Sequence, residues 1–182
     1  MACSAITSGI LDLCNTGFSG IDKIFIANGN ATTSFTEAAG VVTEITVDAV
    51  ALVPADFYTF ETPRQTSSLD ETITVTQENG TVTYQQDITM VFNQMEAAKR
   101  NEILLMAQAT SLIIVAKDNN GKYWSVGLGE GGYMTAGTAA SGVAYADRNG
   151  YSITLSGSSY SLSLSSNDFL SNNIYSSFSV IA

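Results

Sequence analysis

A chain of 182 residues with only 13% charged residues, a net charge of −10 and no histidine is long enough to bury a core as one domain without a metal or disulfide to support it. Without histidine the usual base near neutral pH and the commonest transition-metal ligand are missing, so Ser/His/Asp and Cys/His catalysis are excluded. Seventeen acids against seven bases repel phosphate and argue against a protein that grips nucleic acid. Ser, Thr, Asn and Gly take the place of charge, a mixture that suits β-structure with small polar faces covered by neighbours.

Residues 1–22 are small, mixed and Gly-containing, and read as an N-terminal arm ahead of a β domain over 23–156. Lys23 is the first base and Asp12 interrupts the arm's apolar run, so neither a secretory leader nor a membrane span is expected, and synthesis in the cytoplasm is. Cys3 and Cys14 lack the spacing of a redox pair or a zinc site; they read as two free, buried thiols, with a Cys3–Cys14 disulfide as the alternative. Strands are expected over Lys23–Ala27, Val41–Val47 and Asp56–Glu61, with a loop of Asn, Thr and Gly over Asn28–Gly40. Pro54 and Pro63 bracket the third strand and mark it as short or at an edge.

Leu69–Asn93 carries the clearest pattern. On one side of Asn79-Gly80 the apolar positions are odd (Leu69, Ile73, Val75); on the other they are even (Val82, Tyr84, Ile88, Met90, Phe92). Period-two alternation around Asn-Gly predicts a β-hairpin with a type I′ turn at Asn79 and Gly80. Its core face holds those eight apolar residues, and its other face holds Asp70, Thr72, Thr74, Thr76, Glu78, Thr81, Thr83, Gln85, Asp87 and Thr89. Arms this long project beyond their own domain and pair with something.

One helix should follow, capped by Asn93 with Glu96 three residues on, carrying a Glu96–Arg100 pair and an inward face of Ala97, Leu104 and Leu105. A second hairpin, Ser111–Lys117 with Lys122–Leu128, turns at Asp118-Asn119-Asn120-Gly121. Weaker strands are expected over Tyr133–Ala140 and Gly142–Ala146, and a clear one over Tyr151–Ser156. Residues 157–182 form a Ser-rich C-terminal tail whose Phe169, Tyr175, Phe178 and Ile181 suggest docking.

Motifs that could carry chemistry read better as structure. The Gly127–Gly132 run precedes strand-like residues, whereas a dinucleotide site needs a helix N-terminus there. The Asp118–Gly121 stretch lacks the alternating acids and distal Glu of a calcium loop. Asp70, Glu78 and Asp87 could be imagined as a glycosidase pair, but their face offers Thr and Gln and no aromatic platform. The sequons at Asn30 and Asn79 are chance matches in a chain rich in Asn and Thr. Neither catalysis nor any cofactor or metal is expected.

The order arm, short strands, long hairpin, single helix, second hairpin and further strands resembles that of the tail tube (major tail) proteins of long-tailed bacteriophages, of the type found in phages of Bacteroidetes-like hosts. The stretches carrying the resemblance are MACSAITSG, ETITVTQENGTVTYQQDITM, AAKRNEILLMAQ, IIVAKDNNGKYWSVGLGEGG and ADRNGYSITLSG, together spanning roughly residues 1–157. It implies a mainly β fold, a β-sandwich or rolled sheet with one flanking helix, whose inner sheet joins a ring-wide barrel. It also implies hexameric rings that stack into a conduit for DNA ejection. Partners would be other copies of the chain, other tail proteins at the tube ends, a sheath if the tail is contractile, and double-stranded DNA in passage. The hairpin's polar face would line the lumen, with the arm and tail joining rings. The competing expectations are another virion component (a tail terminator, completion or capsid-decorating protein) or a carbohydrate-binding β-sandwich using Trp124.

Overall fold

The computed structural model describes residues 17–29, 33–38, 41–47, 57–127, 130–159, 165–166 and 180–181. These form β1 (Ile21–Asn28), β2 (Thr33–Ala38), β3 (Val41–Val47), β4 (Phe57–Glu61), β5 (Ser68–Thr76), β6 (Thr81–Asn93), α1 (Ala97–Gln108), β7 (Leu112–Asp118), β8 (Tyr123–Val126), β9 (Gly132–Ala140), β10 (Gly150–Ser159), β11 (Ser165–Ser166) and β12 (Val180–Ile181). Among the described residues the protein is mainly β with one helix, and its large sheet is open. Cys3 and Cys14 lie outside the described residues.

The sheet runs β12-β4-β1-β7-β9-β10-β6-β5, with β8 joining β7 and β11 joining β8. β7 is where it rolls over. One edge of β7 pairs with β1, while the other is shared between β8, at Ile114 to Lys117, and β9, at the single position Leu112–Gly132. Two portions result, β12-β4-β1-β7-β8-β11 and β9-β10-β6-β5, and their alternate residues meet inside. Ile24, Ile26, Ile114, Ala116 and Val126 from the first pack in one cluster with Ile88, Met90, Ile153 and Leu155 from the second. Each large apolar side chain so buried contributes about 1.5–3 kcal/mol.

The helix closes one end of this core through Met106, with Ile103 and Ala109 packed beside it. It differs from expectation in register. Asn93 is the last residue of β6, paired with Gly150, and Gln94 reverses the chain at a φ of 64° while its N–H donates to the Asn149 carbonyl at 2.7 Å. Glu96 is therefore the N-cap, without a side-chain capping bond, and its ion pair is with Lys99 at 3.5 Å. Because Ile103 and Met106 take the inward stripe, Ala97, Leu104 and Leu105 face outward.

Three further expectations are corrected. The Asn28–Gly40 stretch contains β2, because Thr33–Ala38 finds a full ladder on β3. Gly142–Ala146 is a loop: the Asp147 carboxylate takes the Val143 and Ala144 N–H groups at 2.9 and 2.8 Å, the donors a strand would give its neighbour. β10 runs from Gly150 to Ser159, past Ser156, the expected end of that strand. Within the C-terminal stretch, Ser165–Ser166 pairs with β8 and Val180–Ile181 pairs parallel to β4.

Candidate functional site

The β5–β6 hairpin forms, but its turn differs from the expected one. The ladder closes at Thr76–Thr81 across the loop Gln77–Gly80, where the Gly80 N–H donates to the Gln77 carbonyl at 3.3 Å and Gly80 alone has positive φ. A turn at Asn79-Gly80 would have paired Glu78 with Thr81. The observed register is displaced by two residues, which leaves every side chain on its expected face because the strand period is two. Glu78 is the exception, since it sits in the turn, away from Asp70 and Asp87.

The polar face is continuous over four strands. Thr74 pairs with Thr83, Thr72 with Gln85, Asp70 with Asp87 and Ser68 with Thr89. Next door on β10, Ser158, Ser156 and Thr154 pair with Gln85, Asp87 and Thr89, and β9 adds Tyr133, Ala136 and Thr138. Thr76 and Thr81 complete it at the turn. Opposed carboxylates such as Asp70 and Asp87 repel each other, and each has its own donors. The Ser68 hydroxyl donates to Asp70 at 2.9 Å, while the Gln85 amide (3.2 Å) and the Ser156 hydroxyl donate to Asp87. Ser156 in turn lies 3.0 Å from the Thr135 hydroxyl. None of the seven Lys and Arg residues falls on β5, β6, β9 or β10. The face therefore offers hydroxyls, amides and negative charge to whatever lies against it.

Both lateral edges of this four-stranded unit are open, among the described residues, except at Gly132. Among the described residues, β5 pairs only with β6, and β9 beyond Gly132 pairs only with β10.

The apolar face of the hairpin divides in two. Ile88 and Met90 are fully buried, with Leu69 and Phe92 packed against the core and Tyr84 half-buried. Towards the turn Ile73, Val75 and Val82 are 52%, 60% and 44% exposed, because the opposing layer ends before reaching them. Two polar residues on this face interrupt the apolar series and have a different task. Gln86 is buried; its Nε2–H donates to Glu71 Oε1 at 3.0 Å and its Oε1 accepts the Gly127 N–H at 2.8 Å. The break in alternation at 71 and 86 is the sequence signal for this link, and the four-residue turn sets the pair opposite each other.

At the other end of the sheet, the loop between β9 and β10 is fastened by Asp147. Those two backbone N–H bonds hold its carboxyl below the ordinary carboxylate range. A folded-state value below the unfolded one means the fastening is present above the unfolded value and is lost as pH falls through the folded value. Asp147→Ala should raise the amide exchange rates of Val143 and Ala144 about tenfold at neutral pH, measurable by NMR. Unchanged rates would show that the loop is held by something else.

Other sequence motifs settle as scaffolding. Asp118 accepts the Asn120 and Lys122 N–H groups, each at 2.8 Å, and closes the β7–β8 turn. Trp124, the imagined sugar platform, is half-buried and donates Nε1–H to Asp118 at 3.3 Å. A strand follows Gly127–Gly132, of which Leu128 and Gly129 lie outside the described residues. Among the described residues no cluster of acids or cysteines could hold a metal, and no helix is long and apolar enough to cross a membrane.

The site thus belongs to a class defined by a base-free polar sheet face flanked, among the described residues, by open edges. No protein-family model, curated protein or solved structure matches the chain.

Proposed function

We propose that this chain is a self-assembling structural protein whose copies join edge to edge into rings that stack as a tube, the tail tube of a bacteriophage, with the polar face of β5-β6-β10-β9 lining a lumen for double-stranded DNA. The observation that carries this reading is the pair of open edges. The four strands alternate in direction, so β9 of one copy and β5 of the next run antiparallel and can continue the ladder. A head-to-tail contact of this kind repeats around an axis and closes into a ring when its rotation divides a full turn, and closure removes the exposed edges that otherwise invite aggregation.

Face chemistry supports the DNA assignment. Duplex DNA carries one negative charge per roughly 1.7 Å of axis, so a wall with Asp70, Asp87, Thr and Ser but no base gives it nothing to stick to. Screening over about 8 Å at physiological salt confines the repulsion to close approach. Cofactors and catalytic residues have no part in this function, and the virion is where it would be exercised. Negative-stain electron microscopy of the full chain over a concentration series is the test. Hollow rings or tubes are expected; particles that remain monomeric at the highest concentration would overturn the reading.

A further inference from the structure

Each end of the β5-β6-β10-β9 unit carries a group of exposed apolar side chains. At one end are Ile73, Val75 and Val82 beside the hairpin turn. At the other, where Asn93, Gly150 and Ala140 pair across the sheet, the β9–β10 loop presents Val143 and Tyr145 fully to solvent. Beside that loop Met95, Leu104, Ala139 and Tyr151 line a groove between α1 and the sheet. The length of β6, 13 residues, sets the two ends about 40 Å apart at roughly 3.3 Å per residue.

Their charges are complementary. The turn carries Glu78, and no base occurs between Arg64 and Lys99. The far end carries Arg100 and Arg148, neither of which is in an ion pair among the described residues, while Glu96 in the same groove is paired with Lys99 at 3.5 Å. Asp147 there is already committed to two backbone donors. A loop fastened by those two bonds while its valine and tyrosine stand fully exposed has part of its ordering cost met before a partner docks.

We propose that copies of this chain stack head to tail along the strand direction, the hairpin tip of one covering the Val143–Tyr145 loop and helix groove of the next. Two different, mutually complementary patches at opposite ends make an open-ended contact; a patch matched to itself would stop at a pair. In the tube the contact joins successive rings, and in that sense it rests on the ring reading above. It places ring-to-ring contact on the body of the fold, separate from the arm and tail.

The test is the full-length chain with Val75→Lys or Tyr145→Lys. Both side chains are exposed in the free molecule, and circular dichroism and melting curves should match the parent's. Electron microscopy and sedimentation velocity should show rings that no longer stack, with the concentration needed for stacking raised tenfold or more. Glu78→Arg should weaken stacking likewise, and Arg148→Glu in the same chain should restore it. Variants that form tubes as long as the parent's would overturn this contact and leave the ring reading intact. Loss of the rings together with the stacks would also overturn it, by placing the patches within a ring. A parent chain that forms neither rings nor tubes would instead remove the ring reading, and this contact with it.

Discussion

Gly157→Val should lower the stability of the monomer by about 3–5 kcal/mol and its melting temperature by roughly 10 °C. Gly157 lies buried in β10 where the two portions of the sheet cross. A Cβ built there would stand 2.5 Å from the Gly127 Cα and 2.6 Å from its nitrogen. That backbone cannot retreat cheaply, because its N–H is the donor to Gln86. Displacing it breaks the bond and leaves a buried amide acceptor and a buried donor without partners, each loss costing about 1–3 kcal/mol. Gly80→Ala is the control. A Cβ there meets nothing within 4 Å, so only the positive φ is penalised, at about 1 kcal/mol. Thermal denaturation of both variants checks the contrast; equal melting temperatures would show that the crossing is loosely packed.

Tubes carrying Asp70→Lys and Thr74→Lys should bind double-stranded DNA that parent tubes let pass. Both side chains are exposed on the polar face, and two lysines per copy reverse its sign. Asp87 is left in place because Gln85 and Ser156 are bonded to it. The captured DNA should be released by salt, with a log–log slope near −0.9 for each phosphate neutralised. Delivery of DNA through such tubes should fall tenfold or more at low ionic strength. Filter binding and a DNA-release assay over a salt series measure both effects. Lysine tubes that behave as the parent's do would show that this face does not meet DNA.

The legible parts of the fold were those with local causes. Alternating Thr with Val, Ile or Tyr on either side of a turn specifies two strands and the faces of each, and β5 and β6 follow that pattern. The type of turn was not legible, because a two-residue and a four-residue loop predict the same faces and differ only in which residues are opposed. The helix was legible as an element and not in its orientation. Leu104 and Leu105 are as apolar as Ile103 and Met106, and the choice between the two stripes depends on which one the core reaches. Likewise β2 reads as a loop until its partner β3 is supplied, and Gly142 to Ala146 read as a strand until Asp147 takes the Val143 and Ala144 donors.

By itself, then, the amino-acid sequence determined the β class, the hairpin with its two unlike faces, and a polar face free of Lys and Arg, because backbone periodicity and side-chain charge are local properties. Only the tertiary structure decided that, among the described residues, β5 and the length of β9 beyond Gly132 each keep one edge without a partner, that Gln86 ties β6 to Gly127 across the roll, and that Ile73, Val75 and Val82 emerge beyond the opposing layer. Each of these depends on where another element stops, and a strand's own residues carry no record of its neighbour's length.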